Sequence, residues 1–403
     1  MAVNLKPPES LLPVSGVRLG TAEAAIKKPG RQDLLLIELA EGSTVAGMFT
    51  RNAFCAAPVL LCREILAGEK AVRGLLINSG NANAGTGEAG MDAARATVGF
   101  ASQALGGGAV LPFSTGVIGQ ALPVQKIETA IPHALAALDA NGWRAAADAI
   151  MTTDTVAKGA SREVRINGET VTVTGISKGA GMIRPDMATM LAFVGTDARL
   201  SRAATERCLR DAVEVSFNCI TVDGDTSTND SAMLFATGAV GDTIEVGDAA
   251  FETVAAAVRE VCLELAQAIV RDGEGATRFI TIAVSGAGSE AEARLAADAV
   301  AHSPLVKTAC FAGDANWGRI LAAVGRSGVP ALDVSRIRIA IDEVLLIEDG
   351  APAVSYREEL GAAVFARPEF SIQIDLGRGD AGVTVWTCDF SYDYVRINAE
   401  YRT

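Results

Sequence analysis

The chain has 403 residues, and its 48 acidic residues against 35 lysines and arginines give a net charge of −13. This balance excludes nucleic acid as a partner, because its recognition needs a basic stripe. Although 49% of the residues are hydrophobic, no apolar run reaches the roughly 18 residues that a membrane span requires. We therefore expect a soluble, cytoplasmic protein with two or more subdomains and no membrane partner.

Cysteine and histidine are sparse. The seven cysteines are scattered without a CxxC pair, which favours reduced thiols over a zinc site or a disulfide framework. Only His133 and His302 are present, so two-histidine metal motifs are absent and a Ser-His-Asp triad would need one of these two. We expect no metal or cofactor, and a catalyst in this chain would take its base from elsewhere, such as an amine.

The first part of the chain alternates strands and turns. Strands are predicted at 33–40, 44–49 and 74–78, the last running into a loop at 78–87 that is dense in asparagine and glycine. Such residues make tight turns, and they can also line a polar pocket. A helix is predicted at 90–105.

A second glycine-rich stretch occupies 106–119 and has neither the GK[ST] of a P-loop nor a GxGxxG motif after a strand. It contains Thr115 and Gly116 near its end. A turn at that point can direct a hydroxyl and a backbone N–H at one spot, which is what an oxyanion hole requires.

Helices are predicted at 124–138 and 142–151. They lead to a polar cluster at 152–155, which suits a solvated loop and a site for ligand hydroxyls equally well. A hairpin is predicted next, with strands at 162–166 and 170–174 around the Asn-Gly turn of residues 167–168.

The stretch 177–194 changes character at Thr189. Small turn-forming residues and Pro185 precede it, and the apolar run 190–194 that follows predicts a strand buried on both faces. Its β-branch alone explains a threonine here. A sharper reading is that the Ala188–Thr189 bond is cut, since the freed α-amine, with a pKa of about 7.7–8.0, would serve as the base for the hydroxyl of the same residue.

Beyond this strand, the pattern predicts a helix at 200–217, a strand at 218–222 and one long amphipathic helix at 251–269. The long helix is followed by Glu274 between two glycines. A glutamate in that setting marks a helix C-terminal turn, and it can also be directed into a cleft.

The C-terminal part predicts a smaller α/β subdomain at about 280–390. It has strands at 279–285, 336–341, 370–376 and 383–390, and a helix from Ser289 whose capping box is completed by Glu292. The aromatic tail at 391–403 is expected to be docked at the active site rather than frayed.

Five motifs in this order resemble those of the glutamate N-acetyltransferase/ornithine acetyltransferase family of arginine biosynthesis, and the resemblance extends over the whole chain. They are the loop and strand at 177–194 together with 78–87, 114–119, 271–275 and 398–403.

The resemblance implies an α/β fold of N-terminal-nucleophile-like type, a stacked two-sheet sandwich flanked by helices. It also implies self-cleavage between Ala188 and Thr189. The products would be an α chain, 1–188, and a β chain, 189–403, associated as an α2β2 heterotetramer. Residues 189–279 would complete the catalytic core.

The resemblance further implies that the Thr189 hydroxyl takes an acetyl group from N-acetylornithine and passes it to glutamate. Thr115 and Gly116 match the oxyanion-hole pair. Six residues match substrate-binding positions: Thr152, Lys178, Thr189, Glu274, Asn398 and Thr403. From charge, we expect Lys178 to pair with a substrate carboxylate and Glu274 with the ornithine ammonium. Some members also use acetyl-CoA as acetyl donor, a property that the sequence leaves open.

Two other readings fit parts of the sequence. A hydrolase of related fold, an N-terminal-nucleophile aminopeptidase or amidase, would resolve the acyl-enzyme with water rather than with glutamate. An amino-acid sensor would bind acetylornithine in the same pocket, remain uncut and show no turnover.

Overall fold

A computed structural model describes residues 2–68, 70–184 and 190–400. The chain divides into two compact units. The larger unit comprises 7–218 and 225–269, and the smaller one comprises the described residues of 1–6, 219–224 and 270–403.

The larger unit contains two sheets. Its strands are β1 (Val17–Ala22), β2 (Leu34–Leu39), β3 (Thr44–Phe49), β4 (Val72–Asn81), β5 (Ala109–Val117), β6 (Lys158–Ile166), β7 (Glu169–Lys178), β8 (Leu191–Leu200) and β9 (Ser231–Ile244). One sheet has the order β1-β2-β4-β5 and the other the order β3-β9-β8-β7-β6. Both are mixed, with parallel pairing between β4 and β5 and between β8 and β9.

The two sheets stack face to face. Phe113 of β5 meets Phe193 of β8 edge to face, with ring centroids 5.0 Å apart. In β2, Leu35 and Ile37 join this central core while Leu34 and Leu36 face the opposite way into a second core. A strand buried on both faces explains the apolar run of β2.

Helices cover the outer faces of the two sheets. Those that begin in the larger unit are α1 (Ala57–Ala67), α2 (Gly87–Ala104), α3 (Val124–Ala136), α4 (Trp143–Ala149), α5 (Arg202–Glu214) and α6 (Ala249–Arg271). Ile127 and Ile131 of α3 pack into the second core. On the other sheet, a side chain at Gly175 would run into Val261 and Leu265 of α6. The stacked two-sheet sandwich flanked by helices is therefore confirmed.

The smaller unit contains one six-stranded sheet. Its strands are β10 (Phe279–Ala287), β11 (Arg338–Ile341), β12 (Val344–Glu348), β13 (Ala351–Pro352), β14 (Glu369–Asp375) and β15 (Ala381–Cys388), in the order β13-β12-β11-β14-β10-β15. Its helices are α7 (Glu290–Ala301), α8 (Pro304–Ala312), α9 (Trp317–Gly325), α10 (Glu358–Phe365) and α11 (Tyr392–Ala399). The N-cap predicted for α7 is present, since the Ser289 side chain accepts a hydrogen bond from the Glu292 N–H.

Two local predictions are wrong. Thr115 and Gly116 lie inside β5 and not at a turn, because parallel pairing with β4 continues through the glycine-rich stretch as far as Val117. The strand predicted at 218–222 is replaced by the 3-10 helix Phe217–Cys219 and a single bridge from Ile220 to Trp386. The apolar character of 218–222 reflects burial alone. In a sequence, a short apolar run that is only buried looks the same as one that pairs as a strand. Over the described part of the chain, no helix combines the length and apolarity needed to cross a membrane.

Candidate active site

The Thr115–Gly116 pair lies beside the C-terminal end of β4. Thr115 is in register with Ser79 and Gly116 with Gly80. Gly116 has φ +134°, and a Cβ on it would come within 2.3 Å of the Gly80 carbonyl carbon. Only glycine fits both the backbone conformation and the space. The fold therefore requires glycine at position 116, independently of any catalytic role.

Replacing Gly116 with alanine is therefore expected to destabilise the fold, because the neighbouring backbone of β4 must move. We expect a free-energy loss of about 2 kcal/mol or more, from positive φ and overpacking together. The loss is measured by urea denaturation against Gly119→Ala as control, since Gly119 also has positive φ, +81°, but open space at its Cβ. Equal losses for the two variants would contradict the steric explanation.

Side-chain amides fix the end of β5 from both sides. The Ser114 hydroxyl donates to Oδ1 of Asn78 at 2.6 Å. Asn229 donates through Nδ2 to the carbonyls of Ser114, at 2.9 Å, and Ala82, at 2.7 Å. These groups are buried, where hydrogen bonding is needed to offset their lost hydration. Of the two readings of the 78–87 loop, this supports the structural one for Asn78, which serves as part of the scaffold.

Lys178, the last residue of β7, brings two of the candidate residues together. Its Nζ donates to Thr152 Oγ1 at 2.7 Å and to Thr115 Oγ1 at 3.1 Å. The Lys178 side chain is 6% exposed. Three residues that the sequence singles out from separate segments therefore form one cluster, which we call the Lys178 cluster: Thr115, Thr152 and Lys178.

The direction of these hydrogen bonds has a chemical consequence. An ammonium group can only donate, so the hydroxyl oxygens of Thr115 and Thr152 both accept from Lys178. Each hydroxyl then retains its own proton for donation to another acceptor. The charge of Lys178 also polarises both O–H groups and makes them stronger donors. The cluster can therefore stabilise a negative oxygen.

Asp154 lies behind the Lys178 cluster. Its Oδ2 accepts from the Thr152 N–H at 3.0 Å and lies 4.0 Å from Lys178 Nζ. Its Oδ1 accepts from Lys158 Nζ and from the Gly179 N–H, both at 2.7 Å. Burial acts to raise the pKa of Asp154, but the charges of Lys158 and Lys178 and the hydrogen bonds hold it well below its ordinary value. Asp154 is therefore anionic at any pH where the protein would work.

Contacts from β4 and from the segment before β2 position the segment that carries Thr152. Ser79 donates through its hydroxyl to the Ala149 carbonyl at 2.9 Å, and Arg31 donates to the Met151 carbonyl at 2.7 Å. Ser79 is also the register partner of Thr115. Strand β4 thus supports the segments that carry the hydroxyls of Thr115 and Thr152.

The smaller unit brings together Glu274 and Asn398. Asn398 of α11 donates through Nδ2 to Glu274 Oε2 at 2.9 Å. Gly275 has φ +71°, and a Cβ on it would lie 2.4 Å from the Tyr394 nitrogen. The Ser391 hydroxyl donates to the Gly275 carbonyl at 2.6 Å. Within this unit the segment that carries α11 is therefore packed on the glutamate turn.

Three predicted site residues, Ala188, Thr189 and Thr403, lie outside the described residues. The description resumes at Met190, which is buried and whose carbonyl accepts from the Ser231 N–H at 3.0 Å. Leu191 is the register partner of Lys178. The Lys178 cluster therefore lies beside the first residues of β8.

All seven cysteines are free thiols, and six of them are buried. Burial raises the pKa of the Cys310 thiol to about 12 and that of Cys388 to about 11. Such thiols are protonated near neutral pH and are poor nucleophiles. No group of three or more His, Cys, Asp or Glu side chains able to hold a metal ion occurs within residues 2–68, 70–184 and 190–400.

Comparison with known proteins gives a family match over most of the chain. The model of the ArgJ family matches residues 18–403. The chain belongs to the ArgJ family. It is 56% identical to the arginine biosynthesis bifunctional protein ArgJ of Pseudomonas syringae pv. tomato over 100% of both chains. It is 58% identical to the protein of that name from Methylococcus capsulatus, over 98% of this chain and 97% of the relative.

Two solved structures also match part of the chain. ArgJ from Bacillus halodurans is 39% identical, with a TM-score of 0.49, and the match covers 51% of this chain and 97% of that one. Ornithine acetyltransferase from Mycobacterium tuberculosis, solved with ornithine, is 34% identical with a TM-score of 0.36, covering 43% and 92%.

Sequence reasoning missed two residues of the candidate site, Asp154 and Lys158. Asp154 lies within the polar cluster at 152–155, and Lys158 follows it by four residues in what the structure shows to be a strand. A lysine next to apolar strand residues is a weak signal of a buried ion pair. Nothing in the sequence indicated that Lys178 would meet both threonines.

Proposed function

We propose that this chain is an acetyltransferase of arginine biosynthesis that moves an acetyl group from N-acetylornithine to glutamate through an acetyl-Thr189 intermediate. The observation that carries the proposal is the Lys178 cluster, in which one buried ammonium orients two hydroxyls beside the Gly116 backbone. Membership of the ArgJ family, whose relatives are named arginine biosynthesis bifunctional proteins, supports it.

In the first half-reaction, the Thr189 α-amine takes the proton of the Thr189 hydroxyl, which attacks the acetyl carbonyl of N-acetylornithine. The carbonyl oxygen becomes negative, and the Thr115 hydroxyl and the Gly116 N–H donate to it. Each such donor contributes about 2.7–4 kcal/mol to lowering the barrier. The C–N bond then breaks, and ornithine leaves with the proton on its amine.

In the second half-reaction, the amine of glutamate attacks the acetyl ester of Thr189. The same donors hold the oxyanion, and the Thr189 α-amine takes a proton from the glutamate nitrogen. The C–O bond breaks, the α-amine returns the proton to the Thr189 oxygen, and N-acetylglutamate is released. Because the oxyanion is the same in both halves, one donor set serves both, as a ping-pong mechanism requires.

Self-cleavage between Ala188 and Thr189 is part of the proposal, because it releases the amine that acts as base. It yields an α chain, 1–188, and a β chain, 189–403, whose residues 189–279 complete the catalytic core. A smaller subdomain at 280–390 and a tail at 391–403 follow. We propose that the two chains assemble as α2β2 in the cytoplasm.

Substrate binding is assigned to Thr152, Lys178, Thr189, Glu274, Asn398 and Thr403. The carboxylate of Glu274 is the group suited to the ornithine ammonium, and the hydrogen bond from Asn398 holds that carboxylate in one orientation. Beside carboxylate binding, the geometry gives Lys178 a second role as the group that orients the two hydroxyls. Acetyl-CoA is proposed as a further acetyl donor, since the curated relatives are named bifunctional.

Product analysis tests the proposal. Purified protein with N-acetylornithine and glutamate is expected to give ornithine and N-acetylglutamate in equal amounts, with almost no ornithine when glutamate is omitted. Acetate and ornithine formed at the same rate without glutamate would identify a hydrolase. Binding of acetylornithine without any product would identify a sensor. A parallel reaction of acetyl-CoA with glutamate tests the second activity.

A further inference from the structure

Asp154 and Lys158 form a fully buried ion pair that the proposed reaction does not itself use. Both side chains are 0% exposed, and Oδ1 and Nζ are 2.7 Å apart. The cost of removing two charges from water can exceed their mutual attraction, so such a pair is weak evidence for stability alone. Its position next to Lys178 points to a different role.

We propose that Asp154 is a positioning residue for acetyl transfer, whose carboxylate keeps the Lys178 ammonium charged and directed at the hydroxyls of Thr115 and Thr152. The inference rests on the proposed function and deepens it. In this role, Asp154 determines the direction in which the hydroxyls of Thr115 and Thr152 donate their hydrogen bonds.

The charge of Lys178 decides that direction. Burial disfavours a charged amine unless an anion lies close by, and the Asp154 carboxylate lies 4.0 Å from Nζ. A neutral amine has a lone pair and can accept a hydroxyl proton. The Thr115 O–H would then point at Lys178, and the oxyanion would lose one of its two donors.

The carboxylate is itself held rigidly. The N–H groups of Thr152 and Gly179 and the ammonium of Lys158 donate to it. It therefore joins the segment that carries Thr152 to the residue that follows Lys178. A group fixed by three donors can hold the cluster in place with little reorganisation during the reaction.

Two further buried charged groups lie in or next to strands of the sheet that carries Lys178. Among the described residues, Lys158 approaches from β6, and the buried carboxyl of Asp230 directly precedes β9, two strands from β7 in the same sheet. Asp154 stays anionic over the working range. Of Asp154 and Lys178, only Lys178 can therefore change its charge as the pH rises.

The test is the pH dependence of kcat for acetyl transfer from N-acetylornithine to glutamate. Asp154→Asn keeps the shape of the side chain and removes its negative charge. The ammonium groups of Lys158 and Lys178 then no longer have this charge between them. The activity is expected to disappear at lower pH than in the parent, with the alkaline limb displaced by at least about one pH unit. The KM for N-acetylornithine at pH 7 should change by less than about threefold.

Asp148→Asn is the matched control, because Asp148 is an exposed partner of Arg144, and its profile should coincide with that of the parent. If Asp154→Asn does not fold, the double variant Asp154→Asn/Lys158→Met also removes the positive charge of Lys158, which has lost its carboxylate. The same displacement of the alkaline limb is expected. Folding is checked by circular dichroism and thermal melting.

The outcomes separate the two proposals. A parent enzyme without glutamate-dependent transfer counts against the proposed function. If the parent transfers acetyl and a folded variant keeps the parental pH profile, or loses activity equally at every pH, the role of Asp154 is overturned. Loss of the fold in both variants would assign Asp154 a structural role and overturn the inference as well.

Discussion

Replacing Thr189 with alanine is expected to leave one uncut chain of 41.5 kDa and to abolish acetyl transfer. The variant has neither the hydroxyl that starts cleavage of the Ala188–Thr189 bond nor the nucleophile of the transfer reaction. Loss of a covalent nucleophile lowers kcat by about 10³-fold or more. Denaturing electrophoresis measures the cleavage, and ornithine release measures the transfer.

Thr189→Ser is the matched control, because serine keeps a hydroxyl and an α-amine on the same residue. It is expected to cleave and to transfer, both more slowly than the parent. An alanine variant that transferred acetyl at the parental rate would show that the nucleophile lies elsewhere. Cleavage in the alanine variant would show that cleavage of the Ala188–Thr189 bond does not need the Thr189 hydroxyl.

Replacing Thr115 with valine is expected to have the second largest effect. Valine has nearly the shape of threonine, so it removes the donor without opening a cavity, and it leaves one donor of the Lys178 ammonium without its partner oxygen. Removal of one oxyanion donor lowers kcat by about 10²–10³-fold. Steady-state kinetics should show the loss mainly in kcat, because the oxyanion exists only in the transition state and the intermediate.

Thr115→Ser retains the hydroxyl and is expected to keep kcat within about tenfold of the parent. Thr129→Val, on the exposed face of α3, controls for the substitution itself and should have parental kinetics. If Thr115→Val changed only the KM, Thr115 would be a binding group and not part of the oxyanion hole.

The sequence predicted local structure in each unit well where one physical cause dominates. The apolar run of β2 is buried on both faces, and the Asn-Gly pair at 167–168 makes the turn between β6 and β7. Ser289 caps α7 as expected. In each case the local pattern and the tertiary environment favour the same structure.

The Lys178 cluster could not be predicted in the same way. Its three members come from β5, the segment after α4 and the end of β7, which are brought together only by stacking of the two sheets. Family resemblance named these residues without giving their contacts. The Asp154–Lys158 pair has no motif at all, because a buried ion pair depends on where the chain places two ordinary charged residues.

Two other features were missed for local reasons. The sequence predicted a docked tail but not that its residues 392–399 form a helix, α11. None of the residues of α11 is buried, so their pattern gives no amphipathic signal of a helix. The fourteen-residue strand β9 follows a segment rich in Asp, Asn and Thr and contains two glycines with positive φ, Gly238 and Gly241. Glycine weakens a strand pattern in sequence although it is compatible with a bulged strand.

Intact-protein mass spectrometry under denaturing conditions, before and after incubation with N-acetylornithine, tests the central claim most directly. The account predicts two fragments that separate between Ala188 and Thr189. Only the 189–403 fragment should gain about 42 Da, the mass of one acetyl group in ester linkage, and adding glutamate should remove it. A single uncut mass that gains no acetyl group would contradict both the self-cleavage and the acetyl-threonine intermediate.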